Sequence, residues 1–296
     1  MLPEEIYLLI LALLLDLIFS EPPAALHPVV WFGKLVSVFE KFFEKIERYS
    51  PVIQFVYGTF SAIGVISFAI FLVYLPFPEP LNYVWQVYLL FSSFSIKSMV
   101  RHASNCLKTN MDPEEVQKIV SRDTKKLNKY QLRSAVIEST AENFVDGVFA
   151  PLFYFSIFGI LGAVVYRAIN TLDAMIGYRG KYEFFGKFSA RFDDIANYIP
   201  ARISLFFFEF LKRGSLKYGL KNKVKLNGTT IAAMSYVLGV KLEKPGFYSL
   251  PGRPPEDLDV RRSIKIFEII SAMAVVFAVF LLFLRTLLME KVYISF

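Results

Sequence analysis

The stretch GVFAPLFYFSIFGILGAVVY, residues 147–166, contains no charged side chain. A helix of about 20 apolar residues is long enough to cross the hydrocarbon core of a bilayer. Ionisable and amide side chains crowd both flanks of this run, from Arg133 to Asp146 before it and from Arg167 to Arg202 after it. Charge at membrane depth costs at least a few kcal/mol, so these flanks predict a cavity or a binding site beside the membrane.

The distribution of Lys and Arg predicts on which side of the membrane each end of this run lies. No Lys or Arg occurs between residues 75 and 81, whereas three segments are rich in them: 34–48, 97–133 and 253–265. The positive-inside rule puts these three segments on the cytoplasmic side. A single crossing by residues 147–166 would separate the last two. We therefore expect a re-entrant helical hairpin that starts and ends inside, with breaks at Pro151, Gly159 and Gly162.

The composition indicates a membrane protein. Of 296 residues, 55% are hydrophobic and 17% aromatic, and the mean hydropathy is +0.45. Soluble domains have roughly 45–50% apolar residues even when Gly is counted. The sequence predicts an all-α polytopic protein with about four spanning helices, the hairpin, cytoplasmic amphipathic helices and loops, and both termini outside. The predicted spans are residues 6–19, 52–75, 81–96 and 264–284.

Local signals refine this outline. The prolines between residues 20 and 34 predict an extended loop, followed by an amphipathic helix over 34–48. The helix from residue 81 is expected to continue through 108. Asp112 and Pro113 predict the start of a short helix, and Pro200 is expected to begin another helix that reaches residue 213. We expect one membrane-embedded domain, 1–296, with cytoplasmic catalytic segments at approximately 97–143 and 167–262.

Several classes of protein are excluded by simple counts and motifs. One cysteine, Cys106, rules out an internal disulfide framework and any multi-cysteine metal site. The net charge of +7 fits positive-inside loops and anionic substrates, and no basic helix with interleaved aromatics indicates nucleic-acid binding. The sequence lacks GxxxxGK[ST], GxGxxG and GxSxG, so P-loop, Rossmann and hydrolase-elbow chemistry have no support.

Three carboxylates precede the apolar run at helical spacing. Glu138, Glu142 and Asp146 are four residues apart, so on a helix they share an arc of about 80°. They repel one another unless a cation lies between them, and Mg²⁺ prefers one or two carboxylates completed by water and substrate phosphates. A solvated helical face is the alternative interpretation.

A second set of polar residues follows the run. Arg167, Asn170 and Asp173 step by three residues, and both signs of charge then come together in a group at Arg191, Asp193, Asp194, Asn197 and Arg202. Arginine binds phosphate and carboxylate through a bidentate fork, while aspartate can hold the metal that bridges phosphates. An internal network of salt bridges would place the same residues together, and it remains an alternative.

Two further signals are weak. The turn SRDT, residues 121–124, offers a cation, an anion and two hydroxyls, which is also ordinary capping chemistry. His27 and His102 are isolated and have no clustered acidic partner, which favours structural roles for both.

Several stretches of the chain resemble the cobalamin biosynthesis family CbiB/CobD, the adenosylcobinamide-phosphate synthases. They occur in the same order over nearly the whole chain: EPPAALHPVVWFGKL, VSRDTKKL, SAVIESTAENFVDGVFAPLFY, YRAINTLDAMIGY, FGKFSARFDDIANYIPARI, AAMSYVLGVKLEKPGFY and DVRR. Two stretches depart from the family pattern. Ser20–Glu21 replaces the usual Gly-Asp and keeps an acid, and a Ser-Pro-Asn-Ala-Gly stretch is reduced to Asn227 and Gly228.

The resemblance implies a ligase that joins the carboxylate of (adenosyl)cobyric acid to aminopropanol, its phosphate or ethanolamine phosphate. A carboxylate is a poor acceptor for an amine, so ATP would form an acyl phosphate, with Mg²⁺ and arginines neutralising the phosphate charge. The implied partners are these substrates and membrane lipid, with no nucleic acid, and with other corrinoid-pathway enzymes or a second copy of the chain as further candidates. The implied location is the plasma membrane, with the site facing the cytoplasm.

The candidate site residues follow from the clusters and the resemblance together. The catalytic candidates are Glu138, Glu142, Asp173 and Arg191. The candidates for binding substrate or phosphate are His27, Arg122, Asn143, Arg167, Asn170, Arg179, Asn197 and Arg202. The candidate metal ligands are Glu142, Asp146, Asp193 and Asp194. We expect these clusters to converge on one cytoplasm-facing cavity, with Glu142 the most sensitive of the three stacked carboxylates.

Two other functions fit parts of the pattern. A transporter or channel also places charges beside broken helices, although it needs them at the midplane of the bilayer, and no internal repeat is evident. A membrane signalling protein of the AmpE type shares the outline, but it does not require the acidic and arginine clusters together.

Overall fold

Helices make up nearly all of the regular structure in the computed structural model, which describes the backbone of residues 3–294 and the side chains of residues 3–290. In chain order the helices are α1 (Glu4–Phe19), α2 (Pro28–Ile46), α3 (Pro51–Val73), α4 (Leu81–Phe91), α5 (Ile96–Lys108), α6 (Pro113–Gln117), α7 (Lys129–Phe144), α8 (Ala150–Ile176), α9 (Lys187–Leu211), α10 (Ser215–Lys221), α11 (Thr229–Leu238) and α12 (Asp257–Ile294). A π-helical segment, Val145–Phe149, joins α7 to α8. The strands β1 (Glu243–Lys244) and β2 (Tyr248–Ser249) form a small antiparallel hairpin. The all-α prediction is confirmed.

Three stretches within residues 3–294 are helical, long and apolar enough to cross a membrane: Pro51–Val73, Lys129–Ile176 and Asp257–Glu290. The first overlaps the predicted span 52–75, and the last contains the predicted span 264–284. The other two predicted spans form α1 and α4, of 16 and 11 residues, which are shorter than the roughly 20 residues of a typical spanning helix. These two short helices pack against each other.

The chain folds into two compact units, each built from separated stretches of sequence. Unit 1 consists of Met1–Phe94, Pro151–Ala196 and Ala278–Phe296, and unit 2 consists of Ser95–Ala150 and Asn197–Phe277. The predicted assignment of residues 97–143 and 167–262 to the cytoplasmic side stays a prediction.

The predicted hairpin is present, and the chain reverses at Gly159. Its backbone angles, φ 65° and ψ −155°, lie in a region that is essentially restricted to glycine. The rings of Tyr154 and Tyr166 stack with centroids 5.4 Å apart, whereas an unbroken helix would separate these residues by about 18 Å. The expected breaks at Pro151 and Gly162 are wrong. Pro151 lies in the first turn of α8, and Gly162 allows close packing, since a Cβ there would lie 2.3 Å from the Tyr154 carbonyl.

An arginine fixes the tip of this hairpin within unit 1. Arg285 of α12 donates a hydrogen bond to the Ser156 carbonyl at 3.4 Å and forms an ion pair with Glu5 of α1. The tip therefore lies at the same end of the unit as the start of α1. Re-entry of the hairpin into one side of the membrane stays a prediction.

Two helix boundaries differ from the predictions. The expected continuous helix over 81–108 is wrong, because α4 ends at Phe91 and α5 is a separate helix. The hydroxyls of Ser92 and Ser93 both donate to the Leu89 carbonyl, at 2.8 and 2.7 Å, and such bonds compete with helix continuation. The amphipathic helix α2 begins at Pro28, earlier than expected, because proline suits the first helical turn.

The predicted start of α6 is confirmed by its cap. The Asp112 side chain accepts a hydrogen bond from the Glu114 N–H at 3.2 Å, and Pro113 occupies the first helical position.

Pro200 does not begin a helix, as the sequence suggested, but lies inside α9. A proline lacks the N–H that would bond to the carbonyl four residues earlier, which here belongs to Ala196. The Tyr154 hydroxyl donates to that carbonyl at 2.9 Å. A side chain of the hairpin thus replaces the missing backbone bond, and α9 continues to Leu211.

Candidate active site

In unit 2, helix α7 presents its polar face to a turn, a loop and the β1–β2 hairpin. Its start is fixed by a capping box, in which the Asn128 side chain accepts from the Gln131 N–H at 3.0 Å and the Gln131 side chain accepts from the Asn128 N–H at 3.1 Å. Side chains four residues apart then share one helical face. Ser134, Glu138 and Glu142 occupy that face, opposite the turn after α6, the loop 222–228 and the β1–β2 hairpin.

Glu138 is the buried centre of this arrangement, with only 2% of its surface exposed. One carboxylate oxygen accepts from the Ser134 hydroxyl at 2.7 Å, and the other accepts from Arg122 and Tyr248. Arg122 also donates to the Glu243 carbonyl at 3.1 Å. Both oxygens are satisfied, so Glu138 holds Arg122 and Tyr248 in place.

Glu243 attaches the β-hairpin to α7. Its carboxylate pairs with Lys241 and accepts from Gln131 at 3.1 Å and Tyr130 at 2.8 Å, which together lower the pKa of Glu243 to about 2. Its N–H donates to the Ser134 hydroxyl at 2.8 Å. These bonds place the next residue, Lys244, close to the carboxylates of α7.

Three cations surround the two carboxylates. Lys225 forms an ion pair with Glu142, whose side chain is 38% exposed. Burial lowers the pKa of Lys244, and the nearby positive charges of Arg122 and Lys225 lower it further. We call Arg122, Lys225 and Lys244 the basic cluster. Because it outweighs Glu138 and Glu142 by one charge, the site favours an added anion.

Tyr248 supplies a neutral donor to the same site. Burial raises the pKa of its hydroxyl far above its ordinary value, and the Glu138 carboxylate raises it further. The hydroxyl therefore stays protonated and donates to Glu138 throughout the physiological range of pH.

Arg202 holds the loop 222–228 from its other side. It donates to the Asn227 side chain at 3.3 Å and to the Leu226 carbonyl at 3.4 Å, and its guanidinium lies 3.4 Å from the centre of the Tyr198 ring. The loop is thus pinned twice, at Lys225 by Glu142 and at Asn227 by Arg202. Asn143 donates to the Ser139 carbonyl and hydroxyl of its own helix, and Asn197 is buried.

In unit 1, the second arm of the hairpin contacts α9 through polar side chains. Arg167 donates to the Asn170 side chain at 3.2 Å, and Asn170 donates to the buried Asp193 at 3.5 Å. His27 caps α2 by accepting from the Val29 N–H at 3.3 Å. Burial, followed by the charge of Arg167, lowers the pKa of His27 to about 4. At neutral pH this imidazole is uncharged, so it could contact a phosphate only as an N–H donor.

A polar cavity of about 190 Å³ lies between the end of α8 and the start of α9. Three predicted site residues line it, Arg179, Arg191 and Asp194, and Arg191 pairs with Asp194 at 3.4 Å. Asp173 lies beside the cavity wall. Its carbonyl accepts from the Gly177 N–H at 2.8 Å, and a Cβ at Gly177 would lie 2.0 Å from its carboxylate.

Three of the four predicted metal ligands contact side chains of the protein. Among the residues with described side chains, no three His, Cys, Asp or Glu side chains are grouped closely enough to hold a metal ion. Glu142 pairs with Lys225, Asp193 contacts Asn170, and Asp194 pairs with Arg191. Asp146 lies in the π-helical segment, so the regular α-helical step that placed it on the arc of carboxylates does not apply.

The sequence predicted a metal ion because the carboxylates of α7 repel one another. In the structure, cations of the protein relieve this repulsion. Arg122 neutralises Glu138, and Lys225 neutralises Glu142. The assignment of Mg²⁺ to Glu142, Asp146, Asp193 and Asp194 stays a prediction.

Three residues of the site were not predicted from the sequence: Lys225, Lys244 and Tyr248. Lys225 lies in a loop, and Lys244 and Tyr248 lie in strands of two residues, which are too short to show a periodic pattern. Their partners on α7 are distant in the chain, 83 positions away for Lys225 and 110 for Tyr248. One available signal was that no acidic residue occurs between Phe210 and Leu242, so a lysine there must find any carboxylate partner elsewhere.

The family model described as CobD/Cbib protein matches residues 9–286. The chain belongs to this family. The resemblance inferred from the sequence motifs is confirmed. No solved structure matches the chain.

Relatives named for cobalamin biosynthesis match most of the length of this chain. A protein of Archaeoglobus fulgidus named probable cobalamin biosynthesis protein CobD is 58% identical over 98% of this chain and 99% of its own. A protein of Pyrococcus furiosus with the same name is 50% identical over 88% of this chain and 93% of its own. The cobalamin biosynthesis protein CobD of Dehalococcoides mccartyi is 37% identical over 83% and 87%.

Proposed function

We propose that the chain catalyses an amide-forming step of cobalamin biosynthesis. The reaction joins a carboxylate of (adenosyl)cobyric acid to aminopropanol, its phosphate or ethanolamine phosphate, with consumption of ATP, and gives adenosylcobinamide or its phosphate. The names of the relatives support the pathway. The single observation that supports the chemistry is the basic cluster, in which Arg122, Lys225 and Lys244 gather around Glu138 and Glu142.

A carboxylate must be activated before an amine can displace its oxygen. ATP supplies the phosphoryl group that converts the carboxylate into an acyl phosphate. Preorganised cations aimed at the developing phosphate charge lower the barrier to such a transfer. Arg122 is fixed for this role by Glu138 and by the Glu243 carbonyl, and Arg binds phosphate in a bidentate fork. Lys244 and Lys225 add positive charge, but a lysine ammonium lacks the rigid fork of a guanidinium.

Glu142 is the group available for proton transfer. It is partly exposed and held by Lys225 alone among the side-chain contacts described, whereas the buried Glu138 has three donors. When phosphate binds Lys225, Glu142 is released. The amine nitrogen then attacks the acyl carbon, the bond from carbon to the phosphate oxygen breaks, phosphate leaves, and Glu142 accepts the proton lost by nitrogen.

The proposed location is the plasma membrane, with the site facing the cytoplasm. The support is the concentration of Lys and Arg in the segments that form unit 2, including residues 97–133 and 212–225. Mg²⁺ would accompany the nucleotide, and we assign no chain ligand to it. Association with other corrinoid-pathway enzymes or with a second copy of the chain is part of the same proposal.

The test is an assay on detergent-purified protein with ATP, Mg²⁺, cobyric acid and each candidate amine. Mass spectrometry would detect the amide, and phosphate or nucleotide release would be measured in parallel. We expect ATP-dependent amide formation by the native chain and a loss of about 100-fold or more in Lys225→Gln, because a transition-state charge contact is removed. Lys126→Gln, an exposed lysine outside the basic cluster, is the matched control.

Two results would contradict the proposal. One is a folded native chain that forms no amide with any of the amines. The other is a Lys225→Gln variant that is as active as the control.

A further inference from the structure

The region that follows α9 exposes a concentrated positive charge. No acidic residue occurs from Phe210 to Leu242. Apart from Lys212, which donates to the Tyr236 carbonyl, four exposed cations lie in the first part of this stretch, and we call them the basic surface: Arg213, Lys217, Lys221 and Lys223. Lys217 and Lys221 are one helical turn apart on α10 and share a face. The basic surface does not include Lys225, which is paired with Glu142.

Large apolar side chains are exposed beside these cations. Phe206 and Phe210 are one turn apart near the end of α9 and are 55% and 78% exposed. Leu220 and Leu226 are also exposed. Exposed aromatic and aliphatic groups next to Lys and Arg are typical of segments that lie at the interface between a bilayer and water.

Contacts within unit 2 fix the position of α10, which carries part of the basic surface. The Glu209 carboxylate accepts from the N–H groups of Gly214 and Leu216, both at 2.8 Å, and thereby fixes the turn into α10. Tyr218 stacks on Tyr236 of α11 with ring centroids 4.7 Å apart. These contacts hold one side of α10 against the unit, while its lysines point outward.

We infer that the basic surface binds the headgroups of anionic phospholipids, with the adjacent apolar side chains entering the bilayer surface. The chain has helices suited to cross a membrane, so a bilayer surface is its permanent neighbour. A surface of one charge sign has its complement in anionic lipid, and each Lys or Arg near such a surface strengthens the attraction by about fivefold. This inference does not depend on the proposed ligase activity.

The test measures lipid binding by the full chain in detergent, using native mass spectrometry. Phosphatidylglycerol and phosphatidylcholine with the same acyl chains are the two probes. We expect phosphatidylglycerol to bind more tightly, and the variant Lys217→Gln/Lys221→Gln/Lys223→Gln to bind it about 100-fold more weakly, since three lysine contacts are lost. The matched control removes three exposed lysines elsewhere in unit 2, with Lys108→Gln/Lys125→Gln/Lys126→Gln, and should bind phosphatidylglycerol as the native chain does.

Three outcomes would overturn the inference: equal affinity of the native chain for the two lipids, an unchanged affinity in the α10 variant, or an equal loss in both triple variants. A further arm adds soluble glycerol phosphate. If glycerol phosphate displaces phosphatidylglycerol at comparable concentration, the surface is a site for soluble phosphates and the assignment to lipid is wrong. Circular dichroism and gel filtration would establish that each variant is folded.

Discussion

Lys225 of the loop 222–228 forms an ion pair with Glu142 of α7 across 83 positions of sequence. The lysine side chain is 57% exposed and the glutamate 38%. Ion pairs with this degree of exposure contribute about 0–1 kcal/mol to stability, because water solvates the separated charges well. The pair can therefore open at little cost, and its two charges are available to substrate.

Because both charges are available to substrate, substitution of either residue should lower activity. Glu142→Gln and Lys225→Gln should each lower kcat for amide formation by about 100-fold or more, while the melting temperature in detergent changes little. The double variant should lose less than the product of the two single losses, because the residues act as a unit. Lys265→Gln in the exposed Lys265–Glu268 pair is the matched control. A double variant with fully additive losses would contradict the coupling.

Glu138 should behave in the opposite way, through stability. Its pair with Arg122 is buried, and removal of one partner leaves an uncompensated buried charge, which typically costs about 3–5 kcal/mol. Glu138→Ala should therefore lower the free energy of unfolding in detergent far more than Glu142→Ala. Thermal and denaturant unfolding of both variants would measure the difference. Equal destabilisation would mean that the Arg122–Glu138 pair is not the fixed centre of the site.

The pH dependence of stability should report on Glu243. Its pKa in the folded chain is lowered to about 2 by Lys241, Gln131 and Tyr130, so the ionised carboxylate stabilises the fold above its ordinary pKa near 4.5. That contribution is lost as the pH falls from about 4.5 toward 2. The native chain should exceed Glu243→Gln in melting temperature most at neutral pH. The difference should shrink in acid, and one that is independent of pH would contradict the assignment.

Substitutions at Tyr154 and Pro200 should have coupled effects on the free energy of unfolding. Tyr154→Phe leaves the Ala196 carbonyl without its hydroxyl donor, at a cost of about 1–3 kcal/mol. Pro200→Ala restores the backbone N–H that can bond to the same carbonyl. In the Pro200→Ala background, Tyr154→Phe should therefore cost much less. Unfolding of the four chains in a double-mutant cycle measures the coupling, and equal costs in the two backgrounds would contradict it.

The regular parts of this molecule were predictable from the sequence. The charge-free run and Gly159 indicated a helical hairpin, and the spacing of Glu138 and Glu142 placed both on one helical face, since helical periodicity reports on neighbours a few residues away. The same periodicity says nothing about Lys225 or Tyr248, which reach α7 from a loop and from a strand of two residues that are distant in the chain. The sequence predicted that Pro200 begins a helix for a related reason. The donor that compensates for its missing N–H, Tyr154, lies on another helix.

The order in which the chain is synthesised bears on how unit 1 forms. Arg285 bonds to the hairpin tip at Ser156 and pairs with Glu5, yet it leaves the ribosome after both of them. Domains generally fold as units during synthesis, the earlier parts first, but this unit lacks the segment that begins at Ala278 until the residues of unit 2 have been made. Glu5 of α1 and the Ser156 carbonyl of the hairpin are therefore synthesised long before Arg285, and they lack this partner until α12 has been made.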